Sequence, residues 1–168
     1  MLQYEHVVKT PVMNQPEHPA LHREQFTGTW HLINFRAHSS DGDVIYPYGT
    51  SPVGMMMYDT DGHMAMVFMR TGESTFREIP MITDWETAAK AIEAAFEGLH
   101  AYCGTYTIDA QEGSITHHVT AGNVAQRKGH NQVRKAAFCC GQLCLSSPPL
   151  DIFGKQWQTH AIWQQVTE

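Results

Sequence analysis

The chain has 168 residues, one domain's worth at roughly 100–200 residues per domain. Of these, 42% are hydrophobic and 17% charged, and the net charge is −6. An acidic chain whose 11 Lys+Arg form no dense block argues against nucleic-acid binding, and no apolar run approaches the ~18 residues of a membrane span.

Met1 to His6 carries no basic segment followed by an apolar one, so the expected location is cytoplasmic. Cys103, Cys139, Cys140 and Cys144 are then expected as reduced thiols that pack as small hydrophobes. Cys139 and Cys140, adjacent on one expected strand, should point to opposite faces. Residues 1–25 hold Pro11, Pro16, Pro19, His6, His18 and His22 with little periodicity. They read as an N-terminal arm that could exchange between chains of a homodimer, ahead of a domain over 26–168.

The body opens with Gly28 to Arg36, where Trp30, Leu32, Asn34 and Arg36 alternate with His31, Ile33 and Phe35, the period of a strand. A turn at 39–43 precedes a short strand at Val44–Tyr46 and a loop at 47–52. Val53–Tyr58 and His63–Arg70 flank Asp59-Thr60-Asp61-Gly62, a hairpin signal. The pair is rich in methionine: Met55, Met56, Met57, Met64, Met66 and Met69. Thr83-Asp84-Trp85-Glu86 has the capping-box form. The spacing of Trp85, Ala88, Ala89, Ile92, Phe96 and Leu99 then predicts one helix over 84–99. Strands follow at Tyr102–Asp109, Ser114–Thr120, Gln132–Cys140, Leu143–Ser146 and Gln156–Val166. Pro148-Pro149 breaks the chain. Eight to ten short strands with one α-helix make the chain all-β, an antiparallel barrel or sandwich.

In this order, Gly28-Thr29-Trp30, Tyr46-Pro47-Tyr48-Gly49, Pro52-Val53-Gly54, Tyr58 to Met64, Ala101 to Tyr106, Thr116-His117-His118-Val119 and Gln132-Val133-Arg134 resemble the bacterial and fungal lipocalin-like domain family over about residues 25–166. The resemblance implies a lipocalin-like up-and-down antiparallel β-barrel around a small-molecule cavity. It also implies kinship with small barrels that act as cofactor-free cyclases or isomerases in natural-product pathways. The family's usual Trp-x-Arg on the last strand is here Trp163-Gln164-Gln165, so barrel closure should fall to hydrogen bonds of Gln165.

His117 shares a strand face with Ile115 and Val119 and should point inward, where a histidine needs partners. Its ordinary pKa suits a general acid or base, or it is a structural histidine bonded to tyrosine or backbone. His118 should face outward. Arg134, if inward, could bind a carboxylate or enolate oxygen; otherwise it is a rim residue. Tyr102 and Tyr106 share a face with Gly104, which marks either close backbone contact or room for a ligand. Met55, Met57, Met64 and Met66 are core filler or an adaptable ligand wall, joined as candidate lining by Tyr48, Phe68 and Trp157. No metal spacing (HxH, HExxH, Cys/His finger) and no nucleotide-binding loop is present, so no metal or cofactor is expected.

These residues and the resemblance lead to one expectation: a cofactor-independent isomerase, cyclase or dehydratase acting on an apolar oxygenated intermediate such as a polyketide or terpenoid. His117, Arg134, Tyr102 and Tyr106 would be the catalytic set. The alternative is a non-catalytic carrier of a small hydrophobic or aromatic metabolite.

Overall fold

Alternating apolar and polar residues become ten strands in the computed structural model, which describes residues 20–71, 84–86, 89, 98–123, 131–152 and 154–167. They are β1 (Gly28–Ser39), β2 (Val44–Ile45), β3 (Val53–Tyr58), β4 (His63–Met69), β5 (Leu99–Asp109), β6 (Ser114–Gly122), β7 (Asn131–Cys139), β8 (Gln142–Ser146), β9 (Leu150–Ile152) and β10 (Lys155–Gln165). A single turn of helix, α1 (Arg23–Phe26), precedes them. The order is β2-β1-β3-β4-β5-β6-β7-β8-β10-β9, with β1 also paired to β10. Every pairing is antiparallel. Eight strands therefore close into an up-and-down barrel, which removes exposed sheet edges.

The longest pairing differs from the rest. β1 and β10 pair from Trp30 with Gln165 to Ser39 with Trp157, and beyond the other strands they carry β2 and β9 on their flanks. Lys155 ties this extension to the 39–43 turn through Asp41 at 3.0 Å and through Asp43. β9 escaped the sequence reading because only three residues separate the proline pair from the next turn.

The barrel interior follows from register. Residues directly opposite on antiparallel strands point to the same side. Trp30 faces Met56, Met56 faces Met66, and Met66 faces Tyr102. Trp30, Met56, Tyr58, Met64, Tyr106, Ile115, Leu143 and Trp163 form the buried centre. Met55 and Met57 therefore lie outside, at 39% and 48% exposure, and do not line the barrel interior. β1 also departs from simple alternation. The register slips between Leu32 and Asn34, a bulge that inserts Ile33 and turns Phe35 inward, where the sequence pattern had set it beside His31.

One end of the barrel is plugged. Phe26 is fully buried and packs edge-on against Phe138 at 5.0 Å and Tyr58 at 5.9 Å. The Trp30 indole Nε1–H donates to the Phe26 carbonyl at 2.7 Å. Arg23 lies over the Tyr106 ring at 5.0 Å and donates to the Thr60 carbonyl. Gln165 donates to the Thr27 carbonyl at 3.2 Å, which supplies the closing contact expected in place of an arginine. Leu21 is buried here too, so the last part of the expected arm packs on the barrel; residues 1–19 lie outside the described residues.

Of the helix expected over 84–99, residues 87, 88 and 90–97 lie outside the described residues. Trp85, Glu86 and Ala89 are helical and exposed, while Leu99, expected on the helix, instead opens β5. The cysteines are free, and Cys103, Cys139 and Cys140 are exposed, which corrects their reading as packing residues.

Candidate functional site

At the end opposite α1 the interior is not filled. A cavity of about 360 Å³ is walled by Phe35, Tyr48, Met66, Phe68, His100 and Tyr102 on one side. His117, Gln132, Arg134, Leu145, Thr159 and Trp163 are among the residues that close the other side. Its size falls within the usual range for small-molecule sites, roughly 300–1,000 Å³. The aromatic wall is ordered by ring contacts: Phe35 stacks on Phe68 at 5.2 Å, and Tyr48 meets Phe68 edge-on at 4.7 Å. His100 lies on Phe68 at 4.7 Å and edge-on to Tyr102 at 5.6 Å. Among the described residues, the buried Trp163 indole Nε1 has no hydrogen-bond partner.

The polar centre of the cavity is built by three strands. β3 brings Tyr58, β5 brings Tyr102, and β6 brings His117 between them. The Tyr58 hydroxyl lies 2.6 Å from His117 Nε2, and the Tyr102 hydroxyl 2.8 Å from Nδ1. His117 is 1% exposed. Burial pushes its pKa down to about 3, and the charges of Arg134 and His118 add to the effect. The ring is therefore neutral across the physiological range and carries one proton on one nitrogen. Burial likewise raises the Tyr58 pKa, with Tyr102 and Tyr106 contributing, so that phenol keeps its proton.

The tautomer follows from burial. Tyr58 is 2% exposed, and a buried hydroxyl left without an acceptor costs about 1–3 kcal/mol. Donation from Tyr58 to Nε2 satisfies it. Nδ1–H then donates to the Tyr102 oxygen. Among these three, Tyr102 and His117 line the cavity, so the chain Tyr58–His117–Tyr102 ends at a phenol hydroxyl on the cavity side.

Gly104 settles which of its two sequence readings holds. A Cβ there would fall 2.0 Å from the His118 carbonyl oxygen. The glycine permits close approach of β5 to β6 at the bulge opposite Val119, rather than leaving room for a ligand.

The other expected residues divide. Arg134 lines the cavity, with contacts to the Val133 carbonyl at 2.8 Å and to Gln132 Oε1 at 3.3 Å. Tyr48, Met66 and Phe68 line it as well, whereas Met64 is buried in the core. Tyr106 is corrected: its hydroxyl donates to the Asp59 carbonyl at 2.7 Å, at the plugged end. Trp157 lies beyond the cavity, in an outer groove with Ile45, Pro47 and Lys155 that shares Leu150 and Thr159 with the cavity wall. His118 faces outward, bonded to Thr107 and Asn131.

Two residues of the aromatic wall, and Tyr58 as the partner of His117, escaped the sequence reading. His100 and Phe35 were hidden by the overlong helix and by the bulge. Tyr58 carried the usable signal, since it stands two residues from Met56 and belongs to the same face.

A closed antiparallel barrel, plugged at one end and hollow at the other, places the chain in the class of ligand-enclosing β-barrels. The profile of the family described as a lipocalin-like domain matches residues 27–166, and the chain belongs to that family. Among solved structures it is similar to a lipocalin-like protein from Bacteroides uniformis ATCC 8492, at 12% identity and a TM-score of 0.43, covering 84% of this chain and 99% of that one. No curated protein matches.

Proposed function

We propose that the cavity binds a small, flat, largely apolar molecule carrying a carbonyl or carboxylate oxygen, and that it promotes a cofactor-independent isomerisation, cyclisation or dehydration of that molecule. The observation that carries this reading is the chain of hydrogen bonds from Tyr58 through neutral His117 to Tyr102. It holds a phenol hydroxyl beside an aromatic wall and near a guanidinium. A fixed donor of this kind stabilises negative charge that develops on oxygen during enolisation or ring closure. Arg134 supplies a second, charged donor. Stacked rings hold the substrate in a reactive conformer.

The role of His117 changes in this account. With a pKa near 3 it is a poor general base at neutral pH. Relaying a full proton through it would leave a phenolate on buried Tyr58. His117 is instead a positioning residue that fixes the Tyr102 hydroxyl, and Tyr102 and Arg134 are the groups that meet the reacting oxygen. The second reading, a carrier without chemistry, is favoured by the same low pKa, because a satisfied neutral histidine needs no turnover to explain it.

Native mass spectrometry of the protein as isolated, followed by extraction, identifies what it carries. Incubating that compound with fresh protein then separates the readings. Conversion that falls at least tenfold in Tyr102→Phe supports catalysis. Tight binding with unchanged compound supports the carrier.

A further inference from the structure

The hairpin between β7 and β8 carries a feature that the cavity does not use. Cys139 ends β7 and pairs with Gln142, so the turn consists of Cys140 and Gly141. Both are left-handed, with φ of 54° and 78°, the geometry of a two-residue type I′ turn. Its first position ordinarily takes Asn, Asp or Gly, because other side chains crowd the backbone there. Cysteine at this place is a local cost with no packing return, since Cys140 is exposed. The turn swings the Cys140 thiol back toward its neighbour. Instead of pointing to opposite faces, the two Sγ atoms stand 3.3 Å apart. Gln164 on β10 holds the tip by donating to the Gly141 carbonyl at 3.2 Å.

We propose that Cys139 and Cys140 form a preorganised dithiol site that captures one soft, thiophilic centre of the trivalent arsenical class on the outside of the barrel. Two sulfurs bonded at about 2.3 Å to one soft centre lie roughly 3.2–3.8 Å apart for bond angles near 90–110°, which the observed spacing already meets. A disulfide fits less well. It wants Cα atoms about 4.4–6.8 Å apart, whereas consecutive residues are held near 3.8 Å.

The protonation state selects the same class. The hydrogen bond and proximity of the Cys140 thiol raise the Cys139 pKa, so Cys139 keeps its proton near neutral pH. A bare cation must displace that proton into solvent. An organoarsenic oxide removes it itself: its arsenic–oxygen bonding is replaced by two arsenic–sulfur bonds, and the oxygen leaves with both thiol protons as one water. No electron is transferred.

The test is a titration of the reduced full-length chain with phenylarsine oxide, read by intact mass and by competition with a small dithiol. One adduct per chain is expected. Cys140→Asn preserves the left-handed turn and so keeps the fold, yet it should weaken capture by roughly 10²–10⁴-fold, the usual gain from making a second bond intramolecular. Cys139→Ser should do the same, and Cys103→Ser or Cys144→Ser should change capture less than threefold. A native chain that takes up no arsenical, or an adduct that survives Cys140→Asn within tenfold, overturns the proposal.

Discussion

The two ends of this barrel are built from the same strands and do opposite things. At the α1 end, apolar side chains fill the space and polar groups find protein partners: Trp30 with the Phe26 carbonyl, Tyr106 with the Asp59 carbonyl, Gln165 with the Thr27 carbonyl. At the other end the rings line a void, and the Trp163 indole finds no partner among the described residues. Stability is concentrated where packing is complete, and recognition where it is withheld. His117 stands at the junction, bonded to Tyr58 on the core side and to Tyr102 on the cavity side.

The largest expected effect lies at that junction and appears as acid sensitivity. Unfolded, His117 binds a proton below about pH 6.5; folded, it resists until about pH 3. Acid therefore favours the unfolded chain. The stability His117 contributes is complete above pH 6.5, declines through the interval, and is gone near pH 3. At about 1.4 kcal/mol per unit the total is at most roughly 5 kcal/mol. Denaturant titrations at pH 7 and pH 4 check this, and His117→Gln should flatten the difference.

Next is Phe26→Ala, which empties the plugged end and should cost about 3–5 kcal/mol, while ligand affinity at the open end changes less than threefold. A large loss of affinity would mean that the two ends are not separable.

Tyr58→Phe and Tyr102→Phe then sharpen the contrast across a single histidine. Tyr58→Phe strands His117 Nε2 in the core and should cost about 1–3 kcal/mol of stability. Tyr102→Phe should cost less, because solvent entering the cavity can replace its hydroxyl, but it should remove the oxygen-binding donor. Equal stability losses would contradict the assignment of Tyr58 to the core and Tyr102 to the cavity. The smallest effect belongs to Gln165→Ala, which deletes one closing hydrogen bond and should cost about 0.5–1.5 kcal/mol with no change in binding.

Much of the barrel was legible because strand periodicity survives in single residues. Ile115, His117 and Val119 read as one inward face, and they are one. The failures have local causes. Met55 and Met57 looked like lining because composition draws attention to methionine, whereas the pairing of Trp30 with Met56 decides which methionines turn inward. Phe35 was misplaced because a one-residue bulge reverses alternation without changing the composition around it. His100 was lost because helical spacing through Leu99 overran the start of β5. The partnership of Tyr58 with His117 spans 59 positions, and no local pattern reports a contact of that separation.

In the proposed function, Arg134 and Tyr102 at the open end hold the oxygen of an apolar molecule. The most direct measurement is the affinity of a flat aromatic carboxylate and of its neutral amide for the native chain and for Arg134→Gln. The carboxylate is expected to bind roughly 10–100-fold more tightly, as a charged hydrogen bond worth about 1.5–3 kcal/mol requires, and the advantage should vanish in Arg134→Gln. Equal affinities in the native chain, or a preference that survives the substitution, would contradict this reading.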